Sequence, residues 1–138
     1  MRLAYAVLAD YVADGNGKLF ISGTFDVFNV VQFPAVLPMA GLAVKVEATH
    51  GEVGSHTFTL GLRDEDGQLV APQVNGQLEI SVGKFVKGAP PSCQAALNFG
   101  GLQFKKAGTY EFELLVDGRH LGTVPFHVVQ VGSAPQVA

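Results

Sequence analysis

The feature that most constrains this chain is its alternation of apolar and polar residues with a period of two, repeated along the sequence without any long 3.6-residue pattern. Side chains of an extended strand point to opposite faces in turn, so such alternation predicts strands with one buried face. Leu42, Val44, Val46 and Ala48 alternate with Lys45, Glu47 and Thr49. Phe58, Leu60 and Leu62 alternate with Thr57, Thr59 and Arg63. Leu78, Ile80 and Val82 alternate with Gln77, Glu79 and Ser81. Tyr110, Phe112 and Leu114 alternate with Glu111 and Glu113, and Val124, Phe126 and Val128 follow.

Punctuation between these runs is of the hairpin kind. Asp14-Gly15-Asn16-Gly17 and Val116-Asp117-Gly118-Arg119 supply the residues that tolerate the positive φ angles of tight turns. The first predicts that a strand from Leu3 to Val12 pairs antiparallel with the one after it, in which Leu19, Ile21, Gly23, Phe25 and Val27 share a face. Pro34 and Pro38 predict a connection, because proline cannot donate to a ladder. Residues 83–92 form a Gly- and Pro-rich loop. Gly100-Gly101 marks a bulge within a strand carrying Ala95, Leu97 and Phe99.

The expectation is an all-β, two-sheet Greek-key sandwich of the immunoglobulin-like kind, with seven to nine strands, in one domain over residues 1–131 with a tail at 132–138. The 138 residues suffice for one core without disulfides or metal.

Several function classes are disfavoured. The net charge is −3 and the lysines are scattered, which argues against nucleic acid. A single cysteine, Cys93, forms no internal disulfide, and it has no neighbouring base to activate it. The apolar run at Met1 to Ala9 is short for a signal peptide and reads better as a first strand. No run is long enough to span a bilayer, so the expected location is cytoplasmic.

The acidic turn Asp64-Glu65-Asp66-Gly67 lacks the further ligands of a calcium loop and reads as a hairpin. His50, His56, His120 and His127 show no metal-ligand spacing. His50 and His56 flank one turn and are placed to meet across it, while His127 faces away from the core. No Gly-x-Ser-x-Gly elbow and no phosphate-cradling loop before a helix occurs. No cofactor and no metal are expected. Tyr110, in Gly108-Thr109-Tyr110, is placed for a tyrosine corner.

The positive signal concerns surfaces. Charged residues are 15% of the chain, against about 25% in an average domain. Part of the exterior is therefore expected to be covered by a partner. Ala4, Ala6 and Leu8 lie out of phase with Leu3, Tyr5 and Val7. Phe20, Phe28 and Val30 lie out of phase with Leu19, Ile21 and Val27. These outward apolar positions, with Phe85 and Val86 of the long loop, form the candidate interface unless a bulge or overlying chain shifts the register.

Two stretches carry a resemblance. One runs from Asp10 to Phe28, with Gly17-Lys18-Leu19 and Phe25-Asp26, then Phe33-Pro34. The other holds Leu97 to Phe104, Gly108 to Leu114, Val116-Asp117-Gly118 and Leu121 to Phe126. Together they resemble a family of small bacterial domains of unknown function. The resemblance implies an immunoglobulin-like sandwich and a bacterial origin, and no functional residues.

The expected function is a non-enzymatic structural or protein-interaction domain, self-assembling through the first two strands. The alternatives are a small-molecule or peptide-binding module using the 83–92 loop, and a hydrolase with dispersed residues.

Overall fold

The computed structural model describes residues 1–83 and 86–132. Its nine strands are β1 (Arg2–Gly15), β2 (Lys18–Thr24), β3 (Val27–Val30), β4 (Ala35–Glu47), β5 (Gly54–Arg63), β6 (Val74–Ile80), β7 (Ser92–Phe104), β8 (Gly108–Val116) and β9 (Arg119–Gln130). They form a four-stranded sheet ordered β2-β1-β4-β7 and a five-stranded sheet ordered β3-β9-β8-β5-β6. Among the described residues no helix is long and apolar enough to cross a membrane.

Both hairpin turns are as predicted. Asn16 and Gly17 have φ of 53° and 73°, and Asp117 and Gly118 have φ of 51° and 79°. These are the paired positive values that match the twist of two-residue hairpins. The inner faces meet along Leu42, Val44 and Val46 of the first sheet and Phe58, Leu60, Phe112 and Phe126 of the second, all buried. The Tyr110 hydroxyl donates to the carbonyl of Lys106 at 2.6 Å, which is the tyrosine corner.

Three expectations are corrected. First, β2 and β3 are separate strands in different sheets. The chain crosses over at Phe25–Asp26, where the Phe25 N–H donates to Leu8 and the His127 N–H donates to Asp26. β3 then pairs parallel with β9. Second, Pro38 lies inside β4 rather than in a connection. The β4–β7 pairing skips it, running Leu37↔Leu102 and then Met39↔Gly100. A proline is tolerated at such an irregularity because no ladder bond is asked of it. Opposite Pro38 sits Gly101, at φ 67°. The buried phase changes on both strands there, from Ala35 and Leu37 to Ala40 and Leu42 on β4, and from Phe99 to Leu102 and Phe104 on β7. Third, the core of β1 is not Leu3, Tyr5 and Val7. The β1–β4 register shifts between Leu3 and Tyr5. Leu3, Ala6 and Leu8 therefore face the core, and Tyr5 is exposed.

The second half of β1 bends away from β4 and lies over the outer face of the first sheet. There Ala9, Val12 and Ala43 form a small buried cluster of their own, flanked by Leu19 and Ala96. Asn98 fastens it: its amide donates to the Val12 carbonyl at 2.7 Å and accepts from the Val12 N–H at 3.2 Å. A side chain at Gly41 would have its Cβ 2.9 Å from the Val12 nitrogen. Glycine is what lets the two backbones approach.

Candidate functional site

At one side of the molecule the free edge of β7 runs beside β5 and β6 without joining them. The two sheets touch at the start of β7, where Ser81 and Ser92 exchange both backbone hydrogen bonds. They meet again at its end. Phe104 packs edge-on to Tyr110 at 4.9 Å and to Phe126 at 5.8 Å between centroids. Between these closures the sheets part, leaving a groove of about 510 Å³. Phe99 and Phe112, stacked at 5.5 Å, lie at its floor with Leu60 and Leu62, and Val70, Ala71 and Val74 form the far wall. None of the described residues lining it is charged.

Among the described residues, the backbone beside this groove is unpaired on one side. Ser92 turns its N–H and C=O toward Ser81, while the carbonyl of Pro91 accepts from Ala48 on the β4 side. Successive residues of a strand point their backbone groups to alternate sides, and the β4–β7 register is unbroken from Ser92 to Gly100. Ala96, Asn98 and Gly100 thus present donors and acceptors away from β4, while the Gln94 carbonyl on that side accepts from the Cys93 thiol at 3.7 Å. Gly100 has no positive φ, and a Cβ there would meet only the Pro38 carbonyl, at 3.7 Å. The fold does not demand glycine at this point. Past the groove, a second hollow of about 380 Å³ reaches Lys105, Lys106 and Asp64.

The interface expected from the sequence fares differently residue by residue. Leu8 and Val30 are 4% and 5% exposed and belong to the core, with Ala6 and Phe28 packed against it. The register shift in β1 and the crossover before β3 explain this reversal. Ala4 is half-buried. Phe20 is 57% exposed and Val86 61%. Phe85 lies outside the described residues, as does the tail from residue 133. In the 83–92 loop, Pro90 touches a shallow hollow of about 250 Å³.

His56 does not meet His50. Its Nδ1 lies 2.6 Å from the Asp117 carboxylate, and its Nε2 bonds the Glu52 carbonyl. Two acceptors favour the doubly protonated ring, and the bond to Asp117 raises the imidazole above its usual value. That same bond lowers Asp117. Glu52 is held at about 2, first by the Thr49 N–H and then by the Met1 amine. These groups close the turn after β4, and both His56 nitrogens are engaged. His127, as expected, is exposed, and it bonds Thr109 at 3.1 Å. Burial raises the Cys93 thiol. In the acidic turn, Asp64 accepts from the N–H groups of Asp66 and Gln68, and Glu65 accepts from that of Thr109.

Sequence reasoning missed the groove. Its one visible mark was the Gly100-Gly101 pair, read as a bulge alone. The β4–β7 register is the same on both sides of Gly101, so the expected bulge is absent; Gly101 is instead a left-handed residue opposite Pro38, and Gly100 is not required by it.

The profile of a family of unknown function (DUF6941) matches residues 4–129, and the chain belongs to that family. No curated protein matches the chain. Among solved structures, the Pseudomonas fluorescens alkylpurine DNA glycosylase AlkC, bound to DNA containing an abasic site analog, aligns at a TM-score of 0.42 and 12% identity. The alignment covers 90% of this chain and 30% of that one, and at this likeness nothing passes from one to the other.

Proposed function

We propose that this member of DUF6941 is a non-enzymatic protein-interaction domain whose docking surface is the open side between β7 and β5–β6. The observation that carries the reading is the unpaired β7 edge running along an uncharged apolar groove. An exposed edge offers a row of backbone partners, and pockets beside it give the selectivity that backbone pairing lacks. The engaged nitrogens of His56 and the raised thiol of Cys93 favour a binding role over a hydrolytic one. The tyrosine corner favours an immunoglobulin-like sandwich. The lone cysteine fits a cytoplasmic setting.

Selection of a random peptide library on the immobilised domain tests the docking surface. Binders are expected that Gly100→Pro rejects. The Gly100 N–H faces away from β4, so proline there removes no ladder bond but blocks an incoming strand. Binders indifferent to this change would move the docking surface elsewhere.

Self-association is a second reading, on a surface narrower than the sequence suggested. Tyr11 and Phe20 are 51% and 57% exposed, and the register Tyr11↔Ser22, Ala13↔Phe20 sets them diagonally on one face of the β1–β2 hairpin. Light scattering should then show oligomers that Phe20→Ser disperses. A monomer at high concentration would remove this reading.

A further inference from the structure

Resting on the docking surface just proposed, we infer that its occupant is an extended polypeptide segment of a partner protein, uncharged at the positions that enter the groove and apolar at every second residue, added antiparallel to β7. Charge selects this occupant. Among the described residues the lining of the groove carries no ionised group, so a charged side chain entering it would lose its hydration with no counter-ion there to replace it. The mouth near Lys105 and Lys106 does not alter this. Asp66 lies 3.8 Å from the Lys106 ammonium, and Asp64 and Glu65 bring the acids there to three against two lysines. The mouth is thus mixed in sign and gives an acidic partner no net attraction.

Geometry supplies the alternation. A strand laid on the edge at Asn98 and Gly100 points every second side chain inward, over Phe112 and Leu62, and the others outward. The molecule already uses this arrangement on its opposite side, where β3 adds to β9 and turns Phe28 and Val30 into the space between the sheets. A second copy of the chain is a poorer occupant through its own β7. The inward side chains of that strand, Ala95, Leu97 and Phe99, already pack in its own core and cannot fill a neighbour's groove. Gly100 brings no side chain to the lip, which suits the close approach of another backbone. Antiparallel addition is chosen for its better-aligned hydrogen bonds.

The test uses a fluorescent, end-blocked peptide, Ser-Val-Thr-Val-Thr-Leu-Ser, and a version in which aspartate replaces its central valine. Anisotropy is read with the wild-type chain and with Gly100→Pro, alongside thermal melting of both. The first peptide is expected to bind with slowed amide exchange at Asn98 and Gly100. The aspartate version and the proline variant should each weaken it at least about tenfold, with the melting midpoint of Gly100→Pro nearly unmoved. If the aspartate peptide binds equally well, the inferred occupant is wrong while the docking surface stands. If Gly100→Pro binds every peptide as the wild type does, the docking surface itself is wrong. If light scattering shows an oligomer that Gly100→Pro dissolves, the occupant is a second copy and the inference falls. A nitroxide on the peptide's first residue should broaden signals near Phe104; broadening near Ser92 would reverse the direction.

Discussion

The two sides of this sandwich are closed in different ways. On one, the chain itself passes between the sheets: β2 ends, Phe25 and Asp26 cross over, and β3 lays Phe28 and Val30 into the gap. On the other, β7 meets the end of β6 around Ser81–Ser92 and then diverges from it beside a 510 Å³ groove. Both sides began with the same problem, an edge strand next to an apolar interior. The first is solved with a strand of the protein's own, and the second is left with room for one. On the proposed reading, an edge is made a docking surface less by its own side chains than by what lies beneath it.

The largest test of this contrast is Phe104→Ala. Phe104 touches Phe28 on the stitched side and Tyr110 at the end of the open one, and it is almost fully buried. Its loss should cost about 3–5 kcal/mol in chemical denaturation. A cost below about 1 kcal/mol would mean that the two sides do not share a core.

Asn98→Leu comes next. It strands the Val12 N–H and C=O under the β1–β2 hairpin, at a cost of about 1–3 kcal/mol. Faster amide exchange should be confined to the second half of β1 and to β2. Loosening that spread to β3 would join the hairpin to the stitched side. Tyr110→Phe removes the bond to Lys106 and should cost about 1 kcal/mol. An unchanged midpoint would make the corner ornamental to the closed end of the groove.

The turn holding His56, at the closed end of the open side where His56 pairs with Leu78, predicts a pH signature. Because His56 is raised by its bond to Asp117, its contribution is full below the ordinary imidazole value of 6.5 and fades as pH rises through the shifted one. Because Asp117 is lowered, its contribution is full above 3.8 and fades as pH falls through its depressed value. The melting difference between wild type and His56→Gln should therefore be greatest at about pH 5 and shrink toward about pH 9. A flat difference would mean the pair is not charged. The smallest effect is expected at Val74→Glu. Val74 is on the groove wall yet 40% exposed, and the change should stay within about 0.5 kcal/mol. A cost of several kcal/mol would show the open side to be packed after all.

Much of the fold was legible because strand period, turn chemistry and the tyrosine corner are local signals. Asn16-Gly17, Asp117-Gly118 and Tyr110 declare themselves within a few residues. The errors share one cause. Alternation tells which residues share a face but not which sheet a strand joins, and a single extra residue inverts the assignment. The shift near Leu3 and Tyr5 turned Ala6 and Leu8 inward, and the crossover at Phe25–Asp26 did the same for Phe28 and Val30. The groove left no mark in the sequence beyond the Gly100-Gly101 pair. It is made of an absence of pairing between β7 and β6, segments whose sequences look like any others.

The parallel contact between β3 and β9 carries a consequence for how the chain reaches this state. Val27–Val30 must wait for His127–Gln130, and the bond from Gln130 to the Val31 carbonyl spans 99 positions. Closing so long a loop is entropically expensive and gains nothing until both ends are present. On a ribosome the hairpins would form as they emerge, while Phe28 stayed wet until β9 cleared the exit tunnel. The stitched side is thus a late event in folding, and until it closes the nascent domain exposes two unfilled gaps between its sheets instead of one.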